Sequence, residues 1–188
     1  MLQTTNTLYL IVGPSGTGKT SILDALVAQG VLGKATSHST RAMRPGEVQG
    51  DPYWFVSLSE FEGLQLEDQF IERVLYNNQH YGFTRGEVEY ALRLGDVGMI
   101  VEAHGAKQFI RLFPNNTKTI FLYPPPREEL RRRMLERNDT PEAVEERLAL
   151  VSTEMDRSYH LANWSVDSSR PLAIVVAQIA SIIKNKVG

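Results

Sequence analysis

The run Gly13-Pro14-Ser15-Gly16-Thr17-Gly18-Lys19-Thr20 satisfies the pattern G-x-x-x-x-G-K-[ST], and the pattern has a chemical meaning. Glycines let successive backbone N–H groups turn inward around an anion, and a helix starting at the end of the loop adds positive potential. Lys19 is spaced to reach the terminal phosphates of a polyphosphate, and the Thr20 hydroxyl is of the kind that ligates Mg²⁺. Gly13, Ser15, Gly16, Thr17, Gly18, Lys19, Thr20 and Ser21 are therefore the expected contacts of a nucleoside triphosphate, with Thr20 on its metal. The loop alone does not separate a kinase from an ATPase or a GTPase, because all three hold the same triphosphate with the same parts.

Two further sets of charges bear on the reaction. Arg41 and Arg44 lie three apart beside Pro45-Gly46-Glu47, with Tyr53 and Tyr81 further on. Guanidinium forks and phenolic hydroxyls together suit a phosphate dianion, which needs several donors at once. The alternative is that these arginines pair with Glu47, Asp51 or Glu60 on a solvated surface. Arg131, Arg132, Arg133 and Arg137 fall in one predicted helix, where the spacing of Arg133 and Arg137 gives them a common face; Arg147 falls on the next. These too have a plain alternative, since Glu128, Glu129, Glu136 and Glu145 are at hand as counter-charges. His38, His80, His104 and His160 show no partnered nucleophile.

The elements that must position these groups are legible as an alternation. Leu8-Tyr9-Leu10-Ile11-Val12 is a short continuous apolar run, as expected of a strand buried on both faces, and it stops at Gly13-Pro14. Ile22, Leu23, Leu26 and Val27 then recur with helical spacing as far as Gly30. Further strand-like runs occur at Gly98 to Val101, Thr119 to Tyr123 and Trp164 to Val166. Helical spacing appears in Leu130/Met134, in Val144/Leu148/Val151/Met155 and in Leu172/Val175/Ile179/Ile182. Strands alternating with helices predict an α/β fold with a parallel sheet flanked by helices. Ala35 to Phe83 breaks the rhythm and reads as an inserted lobe, and Arg131 to Arg147, with Thr140-Pro141 as a helix start, reads as a mobile flap.

The 188 residues fit one domain, and the formal charge of -2 provides no bulk cationic field for nucleic acid or an anionic membrane. With no cysteine, a disulfide scaffold, a thiolate metal site and a Cys nucleophile are excluded. No apolar run approaches the roughly 20 residues of a membrane span, and Met1 to Thr7 lack a basic start, so a cytoplasmic protein is expected.

The run Ser37-His38-Ser39-Thr40-Arg41-Ala42-Met43-Arg44-Pro45-Gly46-Glu47-Val48, then Gly50, Tyr53 and Phe55-Val56-Ser57, resembles the acceptor lobe of the guanylate kinase family. Phe70-Ile71-Glu72, Tyr81-Gly82, Gly105-Ala106, Pro124-Pro125 and the arginine-rich segment ending at Arg147-Leu148 continue the likeness in the family's order. The resemblance implies a P-loop kinase core at about 1–34, 84–130 and 148–188, an NMP-binding lobe at about 35–83 and a helical lid at about 131–147. It implies phosphoryl transfer from ATP to GMP, and plausibly dGMP, with Mg²⁺, as part of purine nucleotide metabolism. Carried over by position, Arg41, Arg44, Tyr53 and Tyr81 match the acceptor-phosphate grip and Ser37 and Glu72 the base-recognition positions; Glu47 and Glu102 are also placed on the substrate side, Glu102 as a group that orients a water on Mg²⁺. Lys19, Arg41, Arg133, Arg137 and Arg147 match the groups that stabilise the transferring phosphoryl. Guanine offers N1–H and N2–H₂ as adjacent donors where adenine offers none, so an acceptor-only Glu72 would favour guanine. A surface ion pair with Arg73 is the plain alternative for Glu72.

Three positions depart from the family's pattern: Ile100 and Glu102 stand for a usual aspartate pair, Phe83 for a usual Ser or Thr, and Asp167-Ser168 for a usual Asn-Asp. These departures keep open a related kinase with another acceptor, such as a different (d)NMP or a phosphorylated ribose. A non-catalytic protein-binding module of the same family is the remaining alternative, against which the complete loop from Gly13 to Thr20 weighs.

Overall fold

The computed structural model describes residues 4–76, 78–137 and 139–185. The outer limits expected for core, lobe and lid include residues 1–3, 77, 138 and 186–188, which lie outside the described residues. In chain order the elements are β1 (Leu8–Val12), α1 (Lys19–Ala28), β2 (Gly33–Lys34), β3 (Ser37–Ser39), β4 (Tyr53–Phe55), α2 (Leu58–Leu66), β5 (Phe70–Tyr76) and β6 (Gln79–Thr84). There follow α3 (Arg85–Leu94), β7 (Val97–Ile100), α4 (Ala103–Leu112), β8 (Thr117–Tyr123), α5 (Arg127–Leu135), α6 (Pro141–Ser158), β9 (Trp164–Asp167) and α7 (Leu172–Asn185).

β1 is buried along its whole length because it sits in the middle of a parallel sheet of order β2-β7-β1-β8-β9. Its side chains alternate between two cores, as the pleat requires. Leu8, Leu10 and Val12 pack with Val88, Leu92, Ala106 and Phe109 on the side of α3 and α4. Tyr9 and Ile11 pack with Ile22, Leu26, Val175 and Ile179 on the side of α1 and α7. The expected sheet with helices on both faces is what forms, and each fully buried aliphatic side chain contributes roughly 1.5–3 kcal/mol to it. Close approach of α1 to the sheet needs Gly98 on β7, where a Cβ would run into Leu23 and Leu32. α1 ends at Ala28, followed by Gly30 at φ 66°, the left-handed residue that the sequence places there.

The segment between β2 and α3 builds its own four-stranded sheet, of order β4-β3-β6-β5. α2 is fastened over it by Phe61, which is buried and stacks on Phe70 at 4.3 Å between ring centroids. A reciprocal cap starts α2: Ser57 accepts from the Glu60 N–H, while the Glu60 carboxylate accepts from Ser57. Glu60 is thereby committed to the helix, which removes it as a partner for Arg41 or Arg44. A bulge between Phe70 and Glu72 aligns Glu72 with Phe83 across β5 and β6 and leaves Ile71 buried in the main core.

α5 and α6 pack through a small core of their own, made by Leu130, Met134, Val144 and Leu148. Thr140 caps α6 through the Ala143 N–H, and Pro141 opens the helix. One expectation is corrected here: the helix carrying Arg131, Arg132 and Arg133 stops at Leu135, so Arg137 lies in the turn beyond it and shares no helical face with Arg133. A helix cannot run on at this point because the Arg137 and Asp139 N–H groups turn back onto the Met134 carbonyl, closing the end of α5.

Candidate active site

The glycine loop joins the C-terminal end of β1 to the start of α1, with Gly13, Gly16 and Gly18 at φ 145°, 83° and 86°. Gly13 passes so close to the Leu122 carbonyl that a Cβ there would lie 2.7 Å from it, and positive φ at all three sites turns the loop's amides inward. The Thr17 side chain is buried and donates to the Pro14 carbonyl at 2.8 Å, as does its backbone N–H at 3.4 Å, so Thr17 shapes the loop. Lys19 folds over the loop, its Nζ donating to the carbonyls of Gly13 at 2.7 Å and Pro14 at 3.0 Å. Burial holds its ammonium below the ordinary range; the carboxylates of Glu154 and then Glu102 push back, and the Arg137 charge lowers it further. Thr20 and Ser21 are exposed in the first turn of α1.

One cleft of about 730 Å³ runs from this loop to the second sheet. Gly13, Ser15, Lys19 and Thr20 line one end, and Ser37, Tyr53, Glu72, Tyr81 and Phe83 the other, with Ile100 and Glu102 between. Arg41 is held behind Tyr53, its guanidinium carbon 5.4 Å from the Tyr53 ring centre and 5.2 Å from that of Phe55. Two hydrogen bonds, of 3.0 and 2.8 Å, fix its fork on Glu47, which also accepts from the Arg44 N–H at 2.7 Å. Of the two sequence expectations for Arg41, the pairing with Glu47 is what this conformation contains; Arg41 itself does not line the cleft, although Tyr53, against which it packs, does. The Arg41 hydrogen bond, then the one from the Arg44 N–H, holds the Glu47 carboxyl below its ordinary range. Burial, then the neighbouring Tyr81, keeps the Tyr53 hydroxyl protonated to higher pH. Arg44 itself is exposed and does not line the cleft.

Glu72 turns toward the N-terminus of α4, not toward Arg73. Its carboxyl packs against Gly105 so closely that any Cβ there would overlap it. Burial pushes the carboxyl up to about 7, the nearby Glu102 carboxylate adds to the rise, and a hydrogen bond from the Glu102 backbone N–H opposes it. Glu102 is the N-cap residue of α4, yet its side chain makes no capping bond and is exposed on the cleft. Of the positions that depart from the family's pattern, Glu102 and Asp167 are exposed, while Phe83, Ile100 and Ser168 are held by packing or hydrogen bonding, Phe83 and Ile100 also lining the cleft. Phe83 meets Phe109 edge-on at 6.4 Å on the α3–α4 side of the sheet, and Ile100 packs into the opposite core. Ser168 takes a structural part by donating to the Tyr123 carbonyl at 2.7 Å.

The flap arginines are not gathered at the cleft in this conformation. Arg133 donates to Glu129 at 2.8 Å and to the Ser168 carbonyl at 3.0 Å, and Arg147 donates to Asp139 at 2.7 Å. Arg137, displaced from the helix, is the flap arginine whose charge is felt at Lys19. One residue that sequence reasoning missed also belongs here. Glu154 on α6 lines the cleft and accepts a 3.1 Å hydrogen bond from the Ser15 backbone N–H. Its signal was present: Arg147, Glu154 and Arg157 follow i, i+7, i+10, a charged stripe beside the apolar stripe of Val144, Leu148, Val151 and Met155.

A parallel α/β sheet with a glycine loop at the end of its central strand, facing an arginine- and carboxylate-bearing lobe across one cleft, defines a P-loop phosphotransferase. The guanylate kinase family model matches residues 5–172. Among curated relatives, the guanylate kinase of Alkalilimnicola ehrlichii is 40% identical over 86% of this chain and 82% of its own. That of Baumannia cicadellinicola is 40% identical over 79% of this chain and 76% of its own. In fold, the crystal structure of guanylate kinase from Anaplasma phagocytophilum superposes with a TM-score of 0.73 at 24% identity, covering 99% of this chain and 88% of that one. The chain belongs to the guanylate kinase family.

Proposed function

We propose that this protein is an ATP-dependent guanylate kinase, transferring the γ-phosphoryl group of ATP to GMP, and to dGMP, to give ADP and the nucleoside diphosphate. The observation that carries the reading is the single cleft, which has the Lys19 loop at one end and the Glu72 and Tyr53 wall at the other. An oxygen of the acceptor phosphate bonds to the γ-phosphorus, and the bond from that phosphorus to the β–γ bridging oxygen breaks, leaving ADP. The acceptor phosphate, whose second pKa is about 6, is already anionic near neutrality, so no general base is needed. The residues' work is positioning and charge: Lys19 at the terminal phosphates, Arg41 and Arg44 with Tyr53 and Tyr81 at the acceptor phosphate, and Arg133, Arg137 and Arg147 on closure. In the conformation described, Arg133 and Arg147 are engaged with Glu129 and Asp139, so closure exchanges those partners for phosphate oxygens.

Mg²⁺ fits the donors present. Thr20 is exposed at the head of α1 and Glu102 faces the same cleft, and both offer hard oxygen. Among the described residues no cluster of three or more His, Cys, Asp or Glu could hold a metal alone, which suits an ion that is held largely by phosphate oxygens and water. When bound, Mg²⁺ would neutralise phosphate charge; Thr20 would hold it and Glu102 would orient its water. No helix among the described residues is long and apolar enough to cross a membrane. The likeness to bacterial guanylate kinases supports a cytoplasmic enzyme.

The direct test is ADP formation with each acceptor in turn: GMP, dGMP, AMP, UMP and ribose 5-phosphate. GMP and dGMP are expected to exceed AMP and UMP by about 10²-fold or more in kcat/KM, as a site with buried acceptors rejects a base lacking the donors. Equal use of AMP or UMP refutes guanine recognition, and preference for ribose 5-phosphate reassigns the acceptor.

Glu72 also dictates a pH dependence. Guanine's N–H groups need its carboxylate, so kcat/KM for GMP falls as pH drops through about 7. The Glu72→Gln variant lacks this limb and keeps only that of the acceptor phosphate near 6. Stability runs the opposite way. The pKa is raised in the fold, so the protonated form stabilises it fully below the ordinary carboxyl range, and that contribution is lost as pH rises through 7. Thermal melting between pH 5 and 8 should fall more steeply for wild type than for Glu72→Gln; parallel curves would show that Glu72 is not desolvated.

A further inference from the structure

The phosphate loop is engaged by a carboxylate of the chain itself. Glu154 Oε2 accepts from the Ser15 backbone N–H at 3.1 Å, and among the charged groups around Lys19 it makes the largest contribution. Lys19 meanwhile spends its hydrogen bonds on the Gly13 and Pro14 carbonyls. A carboxylate oxygen has the charge sign and acceptor character of a phosphate oxygen, and the inward-turned amides of a glycine loop do not distinguish them. Both cannot hold the Ser15 N–H at once.

We infer that Glu154 is a built-in competitor for the phosphate loop: its carboxylate occupies the Ser15 N–H and the field of Lys19 until a triphosphate displaces it. The inference rests on the reading of the loop as the ATP site. Glu154 sets ATP affinity without touching the acceptor half, because Ser37, Glu72 and Tyr81 stand at the other end of the cleft. Glu154 stands on the same face of α6 as the flap residue Arg147, two turns away. Of the other charges acting on Lys19, Glu102 is the N-cap residue of α4 and Arg137 lies in the turn after α5, so neither is carried by α6.

The test is calorimetric titration of ATP, without acceptor, into wild type, Glu154→Ala, Glu154→Gln and Lys19→Ala. Glu154→Ala is expected to bind ATP about 10-fold tighter, equivalent to about 1.4 kcal/mol, with Glu154→Gln between it and wild type. In steady state KM for ATP falls in step while KM for GMP stays constant, a split that general loosening of α6 would not produce. Should Glu154→Ala fail to fold, Glu154→Gln decides by the same criterion. ATP binding no tighter than wild type overturns the inference. If Lys19→Ala loses ATP binding in that case, the loop reading stands and only the role of Glu154 falls. If Lys19→Ala binds ATP as wild type does, the loop reading itself fails.

Discussion

Replacing Lys19 with alanine should lower phosphoryl transfer by about 10²–10³-fold or more while the melting temperature barely moves. The rate loss follows from removing a preorganised cation aimed at charge that develops in the transition state. The small effect on stability follows from what Lys19 does at rest. Its ammonium caps the carbonyls of Gly13 and Pro14 at 2.7 and 3.0 Å, but its burial is unfavourable enough to depress its pKa. Losing the bonds and losing the buried charge act in opposite directions. Coupled ADP release and thermal denaturation on one preparation check both halves. A variant retaining a tenth or more of wild-type turnover would exclude the loop as the seat of catalysis, and a wild type without turnover would be the mark of a non-catalytic binding module.

Gly105→Ala should be nearly as damaging, although Gly105 lines no part of the cleft. A Cβ at that position overlaps the Glu72 carboxyl, and Gly105 lies in the first turn of α4, where the backbone has little room to retreat. Glu72 must then swing away from its place on the cleft wall. The expected result is a fall of about 10²–10³-fold in kcat/KM for GMP with ATP binding preserved. Overpacking costs about 1–3 kcal/mol, of which the better helix propensity of alanine returns about 1. A double variant with Glu72→Ala tests the mechanism, since two changes acting through one group should do no more harm together than Glu72→Ala does alone. Wild-type kinetics in Gly105→Ala would mean that Glu72 does not read the base from where it stands.

The parts of the molecule that were legible in the sequence are those where one physical pattern dominates. β1 announces itself as five apolar residues in a row because it is covered on both faces, and the glycine loop because few arrangements satisfy its spacing and context. α3 and α4 were not read. Their apolar residues, Val88, Ala91 and Leu92 in one and Ala106, Phe109 and Ile110 in the other, recur at helical spacing among Arg85, Glu87, Glu89, Lys107 and Arg111, so the amphipathic period was present in the sequence and was passed over. The lobe's strands are three to seven residues long and carry polar groups on a wall that faces the cleft, which removes the alternation that marks a strand. Pairwise facts were beyond reach altogether. Neither the overlap of Gly105 with Glu72 nor the bond from Ser15 to Glu154 is encoded in spacing; the latter spans 139 residues and exists only once the sheet and α6 are assembled.

The underside of Gly16 is capped by the methyl groups of Leu130 and Met134, each about as near as an added carbon would tolerate. The arginine-bearing flap is therefore rooted beneath the very turn that cradles nucleotide, as a lever is seated on its fulcrum. Bulk introduced at Met134 would be transmitted upward as a distortion of the cradle, with no polar group altered. The close packing of two apolar flap residues thus bears directly on the shape the phosphate loop can take.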